Sequence, residues 1–384
     1  MLRRLLRPAC RELVYAVVLL CAAAVLIACP QQSMQAAQQG ISLCAETIVP
    51  SLFPFFVLSG MVVELGLARH LGRLVERVMW PLFRVNGAGA TALVLGLVGG
   101  YPVGARTAIE LYQKGCCSQT ETERLLAFCN NSGPAFILGV VGAGVFGSGR
   151  AGLALYLVHV AASVCVGVLF RFYGGVEERC KPDLRPAGGG VSFALAFTRS
   201  VRSALTGVLN ICAFVMTFSV ILGLLARVGV LETLTRALTW FGMDAQQAYQ
   251  LLRGLLEVSS GVRGLAGSGR LPMAAFMLGW AGLCVHCQVL SFLMDSGLRV
   301  GTYLAGKALH GALSALFAVG LVRWFPNALP AAGWLVPQVE NGLVPKLSVS
   351  MAAAWVLWLG FLAVALFGRR NRKKRGGKGR QVAV

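Results

Sequence analysis

Runs of apolar residues long enough to cross a membrane recur along the chain. A helix of about 20 apolar residues spans the roughly 30 Å hydrocarbon core of a bilayer, and a helix satisfies its own backbone polar groups there. The continuous windows cover residues 12–29, 41–67, 151–173, 203–228, 301–322 and 350–367. This pattern predicts an all-α, polytopic membrane protein.

Four further apolar stretches are interrupted by short polar or flexible motifs. Residues 121–146 and 271–296 are predicted to cross as broken helices, interrupted by NNSGP (130–134) and AGLCVHCQ (281–288). Residues 88–113 and 245–267 contain GGYPVGAR and EVSSGVRG, and we expect both to turn back as re-entrant hairpins. Non-helical backbone at membrane depth is tolerated only where it is buried in protein or lines a cavity. The four breaks therefore point to one polar site.

These elements occur twice in the same order, in residues 41–173 and again in 203–322. The alignment pairs Gly104 with Gly261, Arg106 with Arg263, and His159 with His310. With about eight crossings, the rule that basic loops stay in the cytoplasm makes the two repeats inverted in topology and both termini cytoplasmic. Around the repeats lie an N-terminal basic segment with the first helix (1–40), a cytoplasmic linker (174–202), and an outer loop, last helix and basic tail (323–384). Inverted repeats with discontinuous helices are typical of secondary transporters.

The charge of the chain indicates a membrane partner. Only 13% of residues are charged and 57% are hydrophobic, whereas soluble domains carry about 25% charged residues. The net charge of +20 is concentrated near the N-terminus and in the tail, a placement that favours anionic lipid headgroups over nucleic acid. The twelve cysteines are scattered and serve as small hydrophobic residues.

The two arginines that follow the hairpin breaks are the first site candidates. In one interpretation Arg106 pairs with Glu110 and Arg263 with Glu257, or the guanidinium groups reach toward water. In the other, both face one cavity, where their forked donors suit two carboxylates of a planar dicarboxylate. The residues alone leave these alternatives open.

The NNSGP break is the second candidate. Gly133 and Pro134 end one half-helix and begin the next, which would present free N–H groups to an anion. Asn130, Asn131 and Ser132 could hold a substrate or a coupling sodium ion; the alternative is a kink fixed by hydrogen bonds between helices. The predicted substrate-binding set also includes residues of the other breaks: Tyr101, Pro102, Gly104, Ser259, Ser260, His286 and Gln288.

No cofactor is expected beyond a coupling ion, which is either sodium or a proton. The CVHC motif (284–287) lacks the second pair of ligands that structural zinc needs, so no metal site is predicted. Catalytic motifs are absent from the sequence as well, which predicts that the protein is not an enzyme. His159 and His310 are expected to pack between helices, with a proton relay as the alternative.

Three motifs resemble one known family. SLFPFFVLS (51–59), GGYPVGA (99–105) and NNSGPAFILG (130–139) look like the YlbJ-type sporulation integral membrane proteins of the nucleoside-recognition, or Gate, domain group. The resemblance covers about residues 41–322. It implies a fold similar to concentrative nucleoside transporters and a role in moving dipicolinate across the outer forespore membrane.

The residue patterns and the family resemblance together predict a secondary transporter or facilitator of a small planar anion, preferably dipicolinate. One alternative is a nucleoside transporter, and another is a non-transporting membrane scaffold for spore assembly. Assembly into a homo-oligomer is left open.

Deleting residues 369–384 separates a transporter from a scaffold. We expect the shortened chain to keep most of its flux, because the predicted solute pathway lies in the repeats, and the spores to reach nearly normal dipicolinate content. A scaffold that recruits partners through its basic tail would lose function instead.

Overall fold

The computed structural model describes residues 8–65, 67–175, 191–294 and 296–324, and all of the regular structure in these ranges is helical. The chain divides into two units, Met1–Trp334 and Leu335–Val384, and every described residue belongs to the first. The predicted span 350–367 and the basic tail lie outside the described residues, as does most of the linker 174–202.

Within its described residues, the first half of the chain contains eight α-helices, one 3₁₀ turn and two π-helical segments. The α-helices are α1 Pro8–Ala28, α2 Pro30–Leu43, α3 Val49–Glu64, α4 Leu67–Phe83, α5 Ala90–Gly99, α6 Val103–Gln113, α7 Gln119–Cys129 and α8 Gly149–Phe170. A π-helical turn, Cys44–Ile48, joins α2 to α3, a 3₁₀ turn, Gly87–Gly89, precedes α5, and a π-helix, Ala135–Val145, precedes α8.

The second half repeats the mixture of long and interrupted helices. Its elements are α9 Phe193–Arg227, α10 Val230–Thr239, α11 Ala245–Leu256, α12 Val258–Arg263, α13 Leu271–Trp280, α14 Gly282–Leu293 and α15 Val300–Trp324. The predicted hairpins are the pairs α5/α6 and α11/α12. The predicted broken helices are α7 with the π-helix Ala135–Val145, and α13 with α14.

Fewer spans are continuous than the sequence predicted. In the described residues, four segments are long and apolar enough to cross a membrane: Gly149–Phe170, Phe193–Arg227, Leu271–Leu293 and Val300–Trp324. Two bent pairs raise this to six, Glu12–Ala28 with Pro30–Ile48 at 95° and Val75–Phe83 with Gly87–Gly99 at 113°. The first bend comes at Pro30, whose ring and missing N–H prevent α1 from running on. The all-helical, multi-pass architecture is confirmed, and the number of eight crossings stays a prediction.

Small residues let the long helix α9 approach α2 and α3. A Cβ atom added to Gly40 would lie 3.0 Å from the Ser219 hydroxyl, and one added to Gly60 would lie 3.0 Å from Cβ of Ser200. Close packing of this kind is how helices associate where lipid removes the hydrophobic driving force. As a result, apolar side chains of α3 and α9 form one continuous wall.

Both hairpins close through a glycine contact at matching places. A Cβ on Gly104 of α6 would lie 2.9 Å from Cα of Gly96 on α5, and one on Gly261 of α12 would lie 2.5 Å from the backbone nitrogen of Gly254 on α11. The equivalent contacts agree with the sequence pairing of Gly104 with Gly261.

A polar cluster ties together the ends of α7, α8 and α15. Arg124 is buried and donates to the backbone carbonyls of Arg84, Tyr173 and Gly175. Glu123 accepts from the Tyr173 hydroxyl at 2.7 Å and from the backbone N–H of Arg299 at 3.0 Å. Desolvation and the hydrogen bond to Glu123 raise the pKa of Tyr173 above its usual value. The cluster fixes α7, which carries the first break at its other end.

Substituting Gly104 by alanine should destabilise the first hairpin. The new methyl group would press on the backbone of Gly96 and Cys129, and overpacking of this kind costs about 1–3 kcal/mol. Thermal unfolding of the detergent-purified protein measures the loss. Gly139→Ala is the matched control, because a Cβ there meets nothing within 4 Å; equal melting temperatures for the two variants would contradict this packing.

Candidate substrate pocket

An open pocket lies where the interrupted helices meet, with about 610 Å³ of empty space that includes the solvent at its mouth. Polar residues next to the breaks reach it from both halves of the chain, and α3, α9 and the π-helix Ala135–Val145 contribute apolar walls. The polar lining residues are Tyr101, Ser132, Glu257, Ser259 and Gln288; the aromatic ones besides Tyr101 are Phe55, Phe56 and Phe136. Mostly apolar cavities with a few converging polar groups are the usual form of small-molecule sites.

The second hairpin places a carboxylate in this cavity. Glu257 separates α11 from α12, is 1% exposed, and caps α12 by accepting from the backbone N–H groups of Ser259 at 2.8 Å and Ser260 at 2.6 Å. A carboxylate is favourable there because it meets the positive end of the helix dipole.

In the first break, hydrogen bonds from α8 fix the unwound backbone. The Ser132 N–H donates to Nε2 of His159 at 3.0 Å, and the Ser163 hydroxyl donates to the Phe128 carbonyl at 2.8 Å. The break is therefore held by bonds between helices, and Ser132 and Gly133 also line the cavity. The NNSGP segment thus combines the two arrangements considered from the sequence, a kink fixed by hydrogen bonds between helices and a segment that lines a pocket.

Several polar atoms at this break are left for a ligand or water. The hydroxyl oxygens of Tyr101 and Ser132 are buried, and neither makes a hydrogen bond of standard geometry in the described structure. The side-chain carbonyl oxygens of Asn130 and Asn131 are buried and lack partners there too. Buried polar groups without partners cost free energy, which makes this segment receptive to a polar guest.

A second polar network lies behind the same break, on α15. Lys307 is fully buried; its Nζ donates to the Asn130 carbonyl at 2.9 Å and lies 3.3 Å from Nδ1 of His310. Nε2 of His310 contacts the His159 carbonyl at 3.0 Å, and the two imidazole rings are 4.3 Å apart. Two histidines paired by sequence thus meet in space.

Tyr303 extends this network to the second half of the chain. Its hydroxyl lies 2.9 Å from Nδ1 of His286 and 3.4 Å from the side-chain nitrogen of Asn130. His286 also packs edge-on against Trp280. The prediction that His286 lines the second break is corrected accordingly, since it is bonded behind the cavity while Gln288 lines it.

Sequence reasoning missed Lys307 and Tyr303. The available signal was one lysine inside the apolar window 301–322, because an ionisable residue in a membrane helix is a functional candidate by default. Glu257 was considered only as a partner for Arg263, although a carboxylate directly before a break could have been recognised as a helix cap.

The two arginines do not line the cavity. Arg106 is exposed and forms the ion pair with Glu110 at 3.0 Å, so the ion-pair interpretation is confirmed at this position. Arg263 is exposed at the end of α12, and the Glu257 carboxylate is occupied by backbone N–H groups instead. The expectation of two guanidinium groups facing one cavity is therefore corrected.

Some of the other predicted residues line the cavity, and the rest lie close to the breaks without lining it. Tyr101, Ser132, Gly133, Ser259 and Gln288 line the cavity. The remaining members are in the breaks or the hairpin arms without lining it: Pro102, Gly104, Asn130, Asn131, Pro134 and Ser260. Among the described residues, no group of three or more histidine, cysteine or acidic side chains could hold a metal ion.

Long apolar helices combined with interrupted ones around a buried pocket define a multi-pass integral membrane protein. Residues 45–176 match the family model described as Gate, nucleoside recognition. The chain is 32% identical over 329 residues to the sporulation integral membrane protein YlbJ of Bacillus subtilis (strain 168), covering 79% of this chain and 80% of that protein. The chain belongs to the YlbJ family of sporulation integral membrane proteins.

Solved structures of CNTnw are among those that align with this chain. Its outward-facing state aligns with a TM-score of 0.47 and 14% identity, covering 80% of this chain and 84% of that one. The inward-facing substrate-bound state aligns with a TM-score of 0.44 and 13% identity, covering 83% and 87%.

Removing the Glu257 carboxylate should cost more stability than removing Arg263. Glu257→Ala leaves two buried N–H groups uncapped, which lowers the free energy of unfolding by about 0.5–2 kcal/mol. An exposed arginine contributes about 0.5 kcal/mol or less. Melting temperatures of the two purified variants test the order. A larger loss for Arg263→Ala would mean that an ion pair with Glu257 exists after all.

Proposed function

We propose that the protein is a secondary transporter or facilitator that carries a small planar anion, with dipicolinate the preferred substrate, through the pocket between its interrupted helices. The observation that carries this proposal is the pocket itself, which is bordered by residues of hairpins and broken helices from both halves of the chain. Discontinuous helices that meet at a buried site are how secondary transporters bind their substrates.

The shape and chemistry of the lining suit a flat aromatic solute. Phe55, Phe56, Tyr101 and Phe136 supply ring faces and edges, which favour stacked or edge-on contact with another ring. The Tyr101 and Ser132 hydroxyls and the Gln288 amide supply donors for carboxylate oxygens. These groups would donate the hydrogen bonds to carboxylates that the sequence analysis had assigned to Arg106 and Arg263.

Glu257 is the feature that discriminates between substrates. Its carboxylate lines the cavity, and a like charge opposes the binding of a dianion. Its charge is partly balanced by the two backbone N–H groups that it caps. A nucleoside would use the same carboxylate as an acceptor for its sugar hydroxyls, and the match of residues 45–176 to a nucleoside-recognition model also favours this second candidate.

Membership in a family named for sporulation supports a role in the sporulating cell. We place the protein in the outer forespore membrane, with both termini in the cytoplasm of the mother cell. This location would put the pocket in the path of a solute that is made in the mother cell and stored in the spore.

Glu257→Gln should change the response to the two candidate solutes in opposite directions. Without the like charge, we expect dipicolinate to bind roughly tenfold more tightly, which corresponds to about 1.4 kcal/mol. Uridine should bind more weakly because a hydroxyl acceptor loses its charge. The measurement is the ligand-induced rise in melting temperature of the purified protein, as a function of ligand concentration.

The matched control is Glu110→Gln, which removes an exposed carboxylate from its ion pair with Arg106 and should leave both ligand responses unchanged. Equal responses of wild type to dipicolinate and uridine, or none to dipicolinate, would count against the preferred substrate. A response to uridine alone that disappears in Glu257→Gln would establish the nucleoside alternative.

A further inference from the structure

Lys307 is an unusual residue to find at this depth. It lies two turns into α15, its side chain is fully buried, and none of the described carboxylates forms an ion pair with it. Burying an amine without a counter-charge costs desolvation free energy. A lysine at this position therefore needs a structural or functional reason.

The hydrogen bonds around Lys307 determine where the protons lie. His159 accepts from the Ser132 N–H through Nε2, which leaves its proton on Nδ1. Nε2 of His310 faces the His159 carbonyl, and a carbonyl only accepts, so His310 is protonated on Nε2 and its Nδ1 accepts from Lys307. Both imidazoles are neutral in this arrangement, and Nδ1 of His159 has no hydrogen-bond partner among the described residues. The amine of Lys307 is the donor to the Asn130 carbonyl and to His310.

The partner of Lys307 is the unwound backbone of the first break. Its Nζ donates to the Asn130 carbonyl at 2.9 Å. In the same segment, the side-chain oxygens of Asn130, Asn131 and Ser132 are buried and have no partner among the residues that the structure describes. Unwound carbonyls and oxygen-bearing side chains at the middle of a transporter are the groups that ordinarily coordinate a coupling sodium ion.

We propose that Lys307 is a built-in cation, which holds the unwound segment Asn130–Ser132 in the place of a sodium ion taken from solution. The folded pocket and the movement of substrate through it are then independent of sodium. The part of this inference that concerns transport rests on the proposed function, and the part that concerns the fold does not.

Ion-dependent melting of the full-length, detergent-purified chain tests the inference without any substrate. We expect wild type to melt at the same temperature in sodium chloride and in choline chloride of equal ionic strength. Lys307→Ala should melt several degrees lower in choline and recover part of the loss in sodium, because the vacated space exposes the Asn130 carbonyl and its neighbouring oxygens to the ion. Lys307→Met should also melt lower, with no response to sodium, because an apolar side chain of similar length fills the space.

Lys114→Ala is the matched control, because Lys114 is an exposed lysine at the end of α6 and its loss should change neither the melting temperature nor the response to sodium. A wild type that sodium stabilises overturns the proposal. So does a folded Lys307→Ala variant that ignores sodium. If Lys307→Ala does not accumulate, Lys307→Met decides, and a Met variant as stable as wild type overturns the proposal.

Uptake into proteoliposomes tests the transport part. Wild type should accumulate radiolabelled dipicolinate at the same rate with an inward sodium gradient and with choline in its place, and sodium-driven uptake would overturn the inference. Absence of uptake of both dipicolinate and uridine would refute the proposed function, while the melting experiment would still decide the role of Lys307.

Discussion

The structure depends on one constraint: every backbone polar group that leaves a helix at membrane depth needs a partner inside the protein. Two of the four interruptions show this directly. Ser132 donates to His159, the Asn130 carbonyl accepts from Lys307, and Glu257 caps the N–H groups of Ser259 and Ser260. Since each unsatisfied group in a bilayer costs several kcal/mol, the breaks and their partners have to be built together, and the pocket is the space that they enclose.

The same partners connect the pocket to the packing of the molecule. Asn130 is bonded to Lys307 and Tyr303 on α15, and Tyr303 is bonded to His286 on α14. The break in the first half of the chain is therefore supported by helices of the second half. These bonds connect the first break to the packing of α14 and α15.

The interruptions could be predicted from sequence because their signals are local. Glycine, proline and asparagine inside an apolar window mark a break without reference to the rest of the chain, and Asn130–Gly133 and Gly100–Pro102 are breaks in the structure. The interactions of a charged side chain depend on which partner lies nearest to it in the fold. Arg106 lay one helical turn from Glu110, whereas Glu257 was closer to its own helix N-terminus than to Arg263. A lone lysine in an apolar window marked Lys307 as a candidate, but its partner, a carbonyl 177 residues away in the chain, could not be identified from any local pattern.

The central claim is that this cavity is the path of a small planar solute, and uptake by a cavity-filled variant tests it most directly. Ser259 lines the cavity from α12, and a Ser259→Trp variant places an indole in the space. Proteoliposomes containing wild type should take up radiolabelled dipicolinate to saturation, and those with an equal amount of the folded variant should not. Equal uptake by the two proteins would contradict the assignment of the cavity.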